Sequence, residues 1–193
     1  MFFFVSPEAK VAFVALFAIY WVSEILIGRR MRAGRQDRTD DRGSLWLLAI
    51  VFPVSWWAAI AIIWAVPQAS VRSSAAFTAG LFIMFAGQLL RWWSIATLGR
   101  LFTINVAIRD GHQLVDSGPY HYVRHPSYTA ILLFCLGAGL CFCNVLSLVA
   151  LLVPTTLGLL NRIRIEEDVL QSGLGDTYRQ YMIRTKRLVP GLY

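Results

Sequence analysis

The residues best suited to chemistry lie in the segment GPYHYVRHPSY, from Gly118 to Tyr128. Pro126 suits the first turn of a helix, and it pushes the preceding His125 towards an extended conformation. Arg124 and His125 would then stand beside the free backbone N–H groups of a helix N-terminus, which bind anions together with a guanidinium. A basic flank of a membrane segment with a proline cap would have the same sequence, so these residues alone leave both interpretations open.

A second polar cluster, Glu166 and Glu167, follows the last apolar segment. Adjacent helix residues point about 100° apart, so one carboxylate can bind a ligand while the other meets solvent or an arginine. A charged helix end, supported by Arg162 at i,i+4 spacing from Glu166, would explain this cluster if it stood alone. A short hairpin between the last two apolar segments would, however, bring both carboxylates near Arg124 and His125. This convergence favours a binding site.

The elements that must position these clusters are membrane helices. The chain has 193 residues, of which 57% are hydrophobic and 15% charged, and its mean hydropathy is +0.57, well outside the soluble average. Its apolar residues fall in blocks of about 20, the length that spans a bilayer core as a helix. We therefore predict an all-α, polytopic integral membrane protein with five spans, the last two forming a hairpin, and a cytoplasmic C-terminal helical segment. The predicted spans are 8–28, 44–66 with a kink at Pro53, 74–95, 126–143 and 146–161.

The distribution of positive charge predicts the orientation. All of the 18 Lys and Arg residues except Lys10 and Arg72 fall in segments 29–43, 91–124 and 162–193. The positive-inside rule then places the N-terminus outside and the C-terminus, with the polar clusters, in the cytoplasm. The net charge of +7 reflects this topology and indicates attraction to anionic lipids rather than binding of nucleic acid. We expect one membrane domain, in which residues 1–95 carry three helices and residues 96–193 form the functional core.

Two other sets of residues are expected to be structural. Cys135, Cys141 and Cys143 form no zinc-ligand pattern, so we expect small packing residues and no metal. Glu24 and Arg91 are ionisable groups at membrane depth, which makes them functional candidates in principle. Because both lie near the ends of their segments, we expect them to extend towards the membrane surface.

The polar residues follow one another in an order that resembles the isoprenylcysteine carboxyl methyltransferase family and its phospholipid methyltransferase relatives. The resemblance covers roughly residues 95–190, and it is carried by the ordered combination rather than by any single motif. The matching positions are Gly118, Tyr120, Arg124-His125-Pro126, Tyr128, Gly137-Ala138-Gly139, Glu166-Glu167, Leu174-Gly175-Asp176-Thr177-Tyr178, Tyr181 and Arg187-Leu188-Val189-Pro190.

This resemblance implies a membrane methyltransferase that uses S-adenosylmethionine and acts on a lipophilic acceptor arriving from the bilayer. It assigns catalytic roles to Arg124 and Glu167, and it leaves open which of Glu166 and Glu167 faces the cofactor. Tyr178 and Tyr181, on one face of a short helix, would close the site or lie at the membrane surface. The implied cofactor contacts are His112, Leu114, Val115, Gly118, Tyr120, Tyr122, Arg124, His125, Tyr128, Gly137, Gly139, Glu166, Glu167 and Tyr178.

Three other functions remain open at this point. A phospholipid N-methyltransferase would use a carboxylate to attract or deprotonate an amine. Some sterol reductases carry a similar R-H-P-x-Y element with a nicotinamide cofactor, although such enzymes are usually longer and the E-E pair argues against them. A non-catalytic protein could use the same charges to anchor lipid headgroups or a partner. Carboxyl methylation of an isoprenylcysteine-like acceptor is the function that we expect.

Overall fold

The protein is an all-α bundle in the computed structural model, which describes residues 5–31, 41–103 and 114–193 and the backbone of residues 38–39 and 107–108. Every predicted span is a helix, and a sixth helix follows the last span. The helices are α1 (Pro7–Arg30), α2 (Ser44–Ala65), α3 (Ser74–Leu98), α4 (Pro126–Phe142), α5 (Val145–Leu174) and α6 (Asp176–Arg184). Two two-residue strands, β1 (Arg38–Thr39) and β2 (Ala107–Ile108), pair antiparallel. The first lies between α1 and α2, and the second lies between α3 and α4.

Length and composition identify the helices that cross the membrane. Helices α1, α2, α3 and α5 are each long and apolar enough to span a bilayer, and α4 is a shorter apolar helix of 17 residues. Large apolar side chains point outward, among them Trp46, Trp57 and Trp64, which are 72–75% exposed. Such surfaces suit lipid rather than water, and the chain is an integral membrane protein.

Small residues let α3 and α4 pack closely. A Cβ atom on Gly137 would lie 2.5 Å from the carbonyl oxygen of Gly80 and 2.6 Å from the backbone nitrogen of Met84. Gly139 makes a similar approach to Leu148 of α5. Cys135 and Cys141 are fully buried in the same core, which confirms their predicted packing role.

Replacing Gly137 with alanine should destabilise the protein, since the new methyl group meets backbone atoms and the two helices must separate. We expect a loss of about 1–3 kcal/mol in the free energy of unfolding. Thermal unfolding in detergent measures this as a drop of roughly 5 °C. Gly158→Ala is the matched control, because its Cβ would meet only the flexible end of Leu48 at 2.9 Å. Equal drops for both variants would contradict this account of the packing.

The turn between α4 and α5 lies at the predicted position. Cys143 ends α4 in the left-handed conformation, with φ at 50°. Asn144 then caps α5 by accepting a hydrogen bond from the backbone of Ser147 at 3.0 Å, and its amide donates to the carbonyl of Val66 at the same distance. Helix α5 continues to Leu174, well beyond the predicted end of the fifth span, because its polar half finds partners on other elements.

The C-terminal segment returns to the start of α4. After α6, the backbone nitrogens of Arg124 and His125 donate to the carbonyls of Lys186 and Arg187 at 2.8 and 3.0 Å. Pro126 is in the first turn of α4, as predicted, while His125 has φ −125° and ψ 57°, short of the expected extended value. Its backbone is held in this cap geometry because its N–H bonds to the tail and its carbonyl accepts from the first turn. The tail therefore fixes the Arg-His pair beside α5.

Candidate functional site

A cavity of about 320 Å³ lies where one end of each long helix meets the C-terminal segment. Its volume is within the usual range for a small-molecule site. On α5 its wall runs from Thr155 to Leu174, which corresponds to roughly 28 Å of helix, so the cavity is long and narrow. The α5 residues that line it follow one face of the helix: Thr155, Leu159, Arg162, Glu166, Val169, Leu170 and Leu174.

Three zones follow one another along this cavity. The deep end, farthest from the C-terminal segment, is apolar and is lined by Tyr20, Trp21, Leu48, Phe52, Ile131, Thr155 and Leu159. The polar waist contains charged and hydroxyl groups from four helices and the loop before α4: Glu24, Arg91, Arg124, His125, Ser127, Tyr128, Arg162 and Glu166. The outer end is again apolar and aromatic, with Leu98, Leu101, Phe102, Leu114, Val115, Leu174, Tyr178 and Tyr181.

Most of the predicted site residues meet in this cavity. Those that line it are Leu114, Val115, Tyr120, Arg124, His125, Tyr128, Glu166 and Tyr178. They come from two separate stretches of chain: the segment that leads into the start of α4, and the end of α5 with α6. The predicted hairpin brings these stretches together.

Other predicted contacts lie elsewhere. Gly137 and Gly139 pack helix against helix and do not line the cavity, so the structure does not bring them to the predicted cofactor contacts. Gly118 opens the turn before α4 with φ at 57°, close to Thr97, and Tyr122 is 62% exposed. His112 lies outside the described residues. Because a glycine lacks a side chain, sequence alone does not distinguish helix packing from contact with a ligand.

Glu167 lies behind the wall of the cavity and connects two arginines and a histidine. It is 2% exposed and accepts from Nε of Arg124 at 2.8 Å, from Nε2 of His125 at 3.2 Å and from Nη2 of Arg187 at 2.8 Å. Since a carboxylate only accepts, Nε2 of His125 must carry a proton. Glu167 thus orients Arg124 and His125 without lining the cavity itself.

Arg124 is held on its other side by the C-terminal segment. Its Nη1 donates to the carbonyls of Met182, at 3.1 Å, and Thr185. The guanidinium is 7% exposed and lies in the wall of the cavity. Its position is therefore determined before any ligand binds.

Glu166 faces the cavity and belongs to a different network. Tyr128 donates its hydroxyl to Oε2 of Glu166 at 2.6 Å, and Nε of Arg162 donates to the same hydroxyl oxygen at 2.9 Å. Nδ1 of His125 lies 3.8 Å from Oε2. The two adjacent carboxylates therefore contact different residues, because neighbouring side chains on a helix point about 100° apart.

The expectation for Glu24 and Arg91 was wrong, because neither extends away to the membrane surface. Nε and Nη2 of Arg91 donate to the two oxygens of Glu24 at 2.8 and 2.9 Å, and Nη1 contacts the hydroxyl of Ser127. Arg91 is 6% exposed and lines the polar waist. A bidentate partner lowers the cost of keeping a guanidinium at membrane depth, so these two charges stay inside.

Two buried tyrosines of α6 form part of the outer end. Tyr178 and Tyr181 are 3% and 2% exposed, with ring centroids 5.9 Å apart. Burial raises the pKa of Tyr181 to about 12, and burial, with the nearby carboxylates of Glu167 and Glu166, raises the pKa of Tyr178 further. Both hydroxyls are therefore protonated donors at neutral pH, and that of Tyr181 bonds to the carbonyl of Tyr120 at 2.5 Å.

Sequence reasoning missed Arg162 and the Glu24–Arg91 pair as parts of the cavity. A signal for Arg162 was present in the spacing of Thr155, Leu159, Arg162 and Glu166, which alternates between three and four residues and therefore marks one helix face. Within the residues that the structure describes, no group of three His, Cys, Asp or Glu side chains could hold a metal ion.

Comparisons with known proteins agree on one family. Residues 78–172 match the sequence model of the isoprenylcysteine carboxyl methyltransferase (ICMT) family. Protein-S-isoprenylcysteine O-methyltransferase B of Arabidopsis thaliana is 36% identical over 113 residues, covering 58% of this chain and 57% of the plant protein. Protein-S-isoprenylcysteine O-methyltransferase of Schizosaccharomyces pombe is 33% identical over 115 residues, covering 58% of this chain and 49% of the yeast protein.

A solved structure supports the same relationship. The eukaryotic intramembrane Ras methyltransferase ICMT superposes with a TM-score of 0.63 and 26% sequence identity, covering 75% of this chain and 52% of the other. The chain spans about half the length of the curated relatives it matches.

Proposed function

Because residues 78–172 match the sequence model of the isoprenylcysteine carboxyl methyltransferase family, we propose that the protein is a membrane methyltransferase that uses S-adenosylmethionine. Its acceptor is the carboxylate of an isoprenylcysteine-like lipophilic molecule. The observation that carries this proposal is the continuity of the cavity, in which one polar waist separates an apolar outer end from an apolar deep end. A donor and an acceptor can each place an apolar part in one end and meet at the waist.

The chemistry of the side chains fits the proposed cofactor. S-adenosylmethionine, when bound, supplies an electrophilic methyl group on a sulfonium. The chain offers a guanidinium and an imidazole, in Arg124 and His125, for the carboxylate of the cofactor. It offers a carboxylate, Glu166, for hydroxyl groups, and the aromatic ring of Tyr178 beside an apolar wall for the adenine. These residues would hold and orient the cofactor from the outer end.

Arg91 is the side chain that we assign to the acceptor. A carboxylate acceptor is already an anionic nucleophile, so it needs orientation rather than a base. Arg91 lies in the waist on α3, near the apolar deep end that would receive the lipophilic part. A cation at this place favours a carboxylate over the ammonium that a phospholipid N-methyltransferase would bind.

The orientation that the charge distribution predicts agrees with the substrates that we propose. By the positive-inside rule, the waist and the outer end would lie on the cytoplasmic side, where a water-soluble cofactor is available. The deep end lies among the spanning helices, so a lipophilic acceptor can reach it from the bilayer. Excluding water from the waist would strengthen the interaction of Arg91 with an anion.

Ligand binding and product chemistry test this function together. In detergent, S-adenosylhomocysteine should raise the midpoint of thermal unfolding, whereas NADPH should not. Labelled methyl groups should then be transferred to a prenylcysteine acid. Because the product is a methyl ester, treatment with base should release the label. A base-stable product on phosphatidylethanolamine would indicate the N-methyltransferase instead. Stabilisation by NADPH alone would indicate a reductase, and no response to either ligand would favour an anchoring protein.

A further inference from the structure

We propose that Asp41, in the connection between α1 and α2, is a positioning residue for the cofactor side of the cavity. It acts on Glu166 through Arg162 and Tyr128. The inference rests on the proposed function, because it requires that Glu166 contacts the cofactor. Asp41 lies outside residues 78–172, so the family match does not cover it. From the sequence alone, the charged residues between Arg29 and Gly43 were interpreted only as a signal of membrane topology.

The first link joins Asp41 to the start of α2 and to Arg162. Its Oδ2 accepts from the backbone nitrogen of Leu45 at 2.8 Å, and its Oδ1 accepts from Nη1 of Arg162 at 2.9 Å. The hydroxyl of Ser44 lies 3.2 Å from Oδ1 and 3.0 Å from the same Nη1. Arg162 is 4% exposed, and the carboxylate of Asp41 lowers the cost of burying its charge.

The second link sets the direction of a hydrogen bond. Arg162 can only donate, so the hydroxyl oxygen of Tyr128 accepts from it, at 2.9 Å. The single proton of that hydroxyl is then directed to Oε2 of Glu166, at 2.6 Å. The ring of Tyr128 stacks on His125 with a centroid distance of 5.5 Å, which restrains the phenol further. Glu166 is thereby held as an acceptor at a fixed place in the wall.

Loss of the Asp41 carboxylate would change what Arg162 does. Arg162 and Glu166 are four residues apart on α5, the spacing at which opposite charges pair on a helix. Released from Asp41, the guanidinium can turn to Glu166 and compete with a ligand for that carboxylate. Asp41 therefore keeps Glu166 available by drawing Arg162 in the opposite direction, towards α2.

Asp41→Asn in the whole chain tests the proposal, because asparagine keeps one oxygen that can accept from the backbone nitrogen of Leu45 and removes the charge. The Kd for S-adenosylhomocysteine and the KM for S-adenosylmethionine should rise about three- to tenfold, the factor that one hydrogen bond contributes, while kcat stays within about twofold. Asp168→Asn is the matched control, since Asp168 pairs with Arg42 at 3.3 Å on the exposed side of the same connection. It should leave both constants unchanged.

A double-mutant cycle shows whether Asp41 acts through Arg162. In an Arg162→Gln background, Asp41→Asn should cause no further loss of affinity, since Arg162 is the link between Asp41 and both Tyr128 and Glu166. The inference would be overturned if the losses of affinity in the two single variants multiply in the double variant. It would also be overturned if Asp41→Asn alone binds with wild-type affinity. If Asp41→Asn does not insert, Arg162→Lys replaces it, because lysine cannot bridge Asp41 and Tyr128. A wild-type protein that does not bind S-adenosylhomocysteine would refute the proposed function itself, a separate outcome.

Discussion

Glu167→Gln should cause loss of both stability and methyl transfer. The substitution removes the one carboxylate that contacts Arg124, His125 and Arg187 together, at 2% exposure. Removing one partner of a buried ion pair leaves the opposite charge without compensation, at a cost of about 3–5 kcal/mol. Thermal unfolding in detergent should record a drop of roughly 10 °C. Affinity for S-adenosylhomocysteine should fall as well, because Arg124 and His125 lose their orientation.

The neighbouring residue supplies the control. Asp168→Asn removes a carboxylate from the next position of the same helix, where the side chain is 59% exposed, and should leave stability unchanged. Glu167→Asp keeps the charge on a shorter side chain and should recover part of the stability. If Glu167→Gln unfolds at the wild-type temperature and binds S-adenosylhomocysteine normally, Glu167 does not organise the site.

Arg91→Gln should lower kcat for methyl transfer by about 100-fold, the loss expected when the group that orients a nucleophile is removed. Arg91→Lys should recover little, because lysine keeps the charge but not the planar fork that contacts Glu24 and Ser127. Methyl transfer to a prenylcysteine acid measures the effect, with affinity for S-adenosylhomocysteine expected to stay within a few-fold. Arg164→Gln, an exposed arginine on α5, is the control and should retain activity.

A second experiment separates catalysis from simple charge pairing. Arg91→Gln alone leaves the partly buried Glu24, whose side chain is 23% exposed, without its partner, which could unfold the protein for a purely structural reason. The double variant Glu24→Gln with Arg91→Gln removes both charges and should restore stability. We expect this double variant to fold and remain inactive. Recovery of activity in it would mean that Arg91 serves only to neutralise Glu24.

The spans and the turn could be predicted because they depend on neighbouring residues. A block of about 20 apolar residues is helical in a membrane whatever its neighbours, since lipid leaves its backbone polar groups no other partners. Asn144 caps the next helix through a residue only three positions away. Pro126 likewise begins α4 through a restriction on its own backbone. These features are local, and all of them are confirmed.

The pairing of charges could not be predicted, because it depends on residues far apart in the chain. Glu24 and Arg91 are 67 positions apart, and Asp41 and Arg162 are 121 apart. In the sequence, each of these four residues could equally well have been exposed to solvent. Only the packing of α1, α2, α3 and α5 shows that they form two pairs.

By itself, the sequence determined that this protein spans the membrane as a helical bundle and that its polar residues gather at one end. It also determined that a hairpin brings the Arg124-His125 pair near two adjacent carboxylates. Only the tertiary structure decided that Glu167 lies behind the wall, bound to Arg124, His125 and Arg187, while Glu166 faces the cavity. The physical reason is that the 100° between neighbouring helix residues separates their directions, whereas the surrounding helices decide which direction is buried.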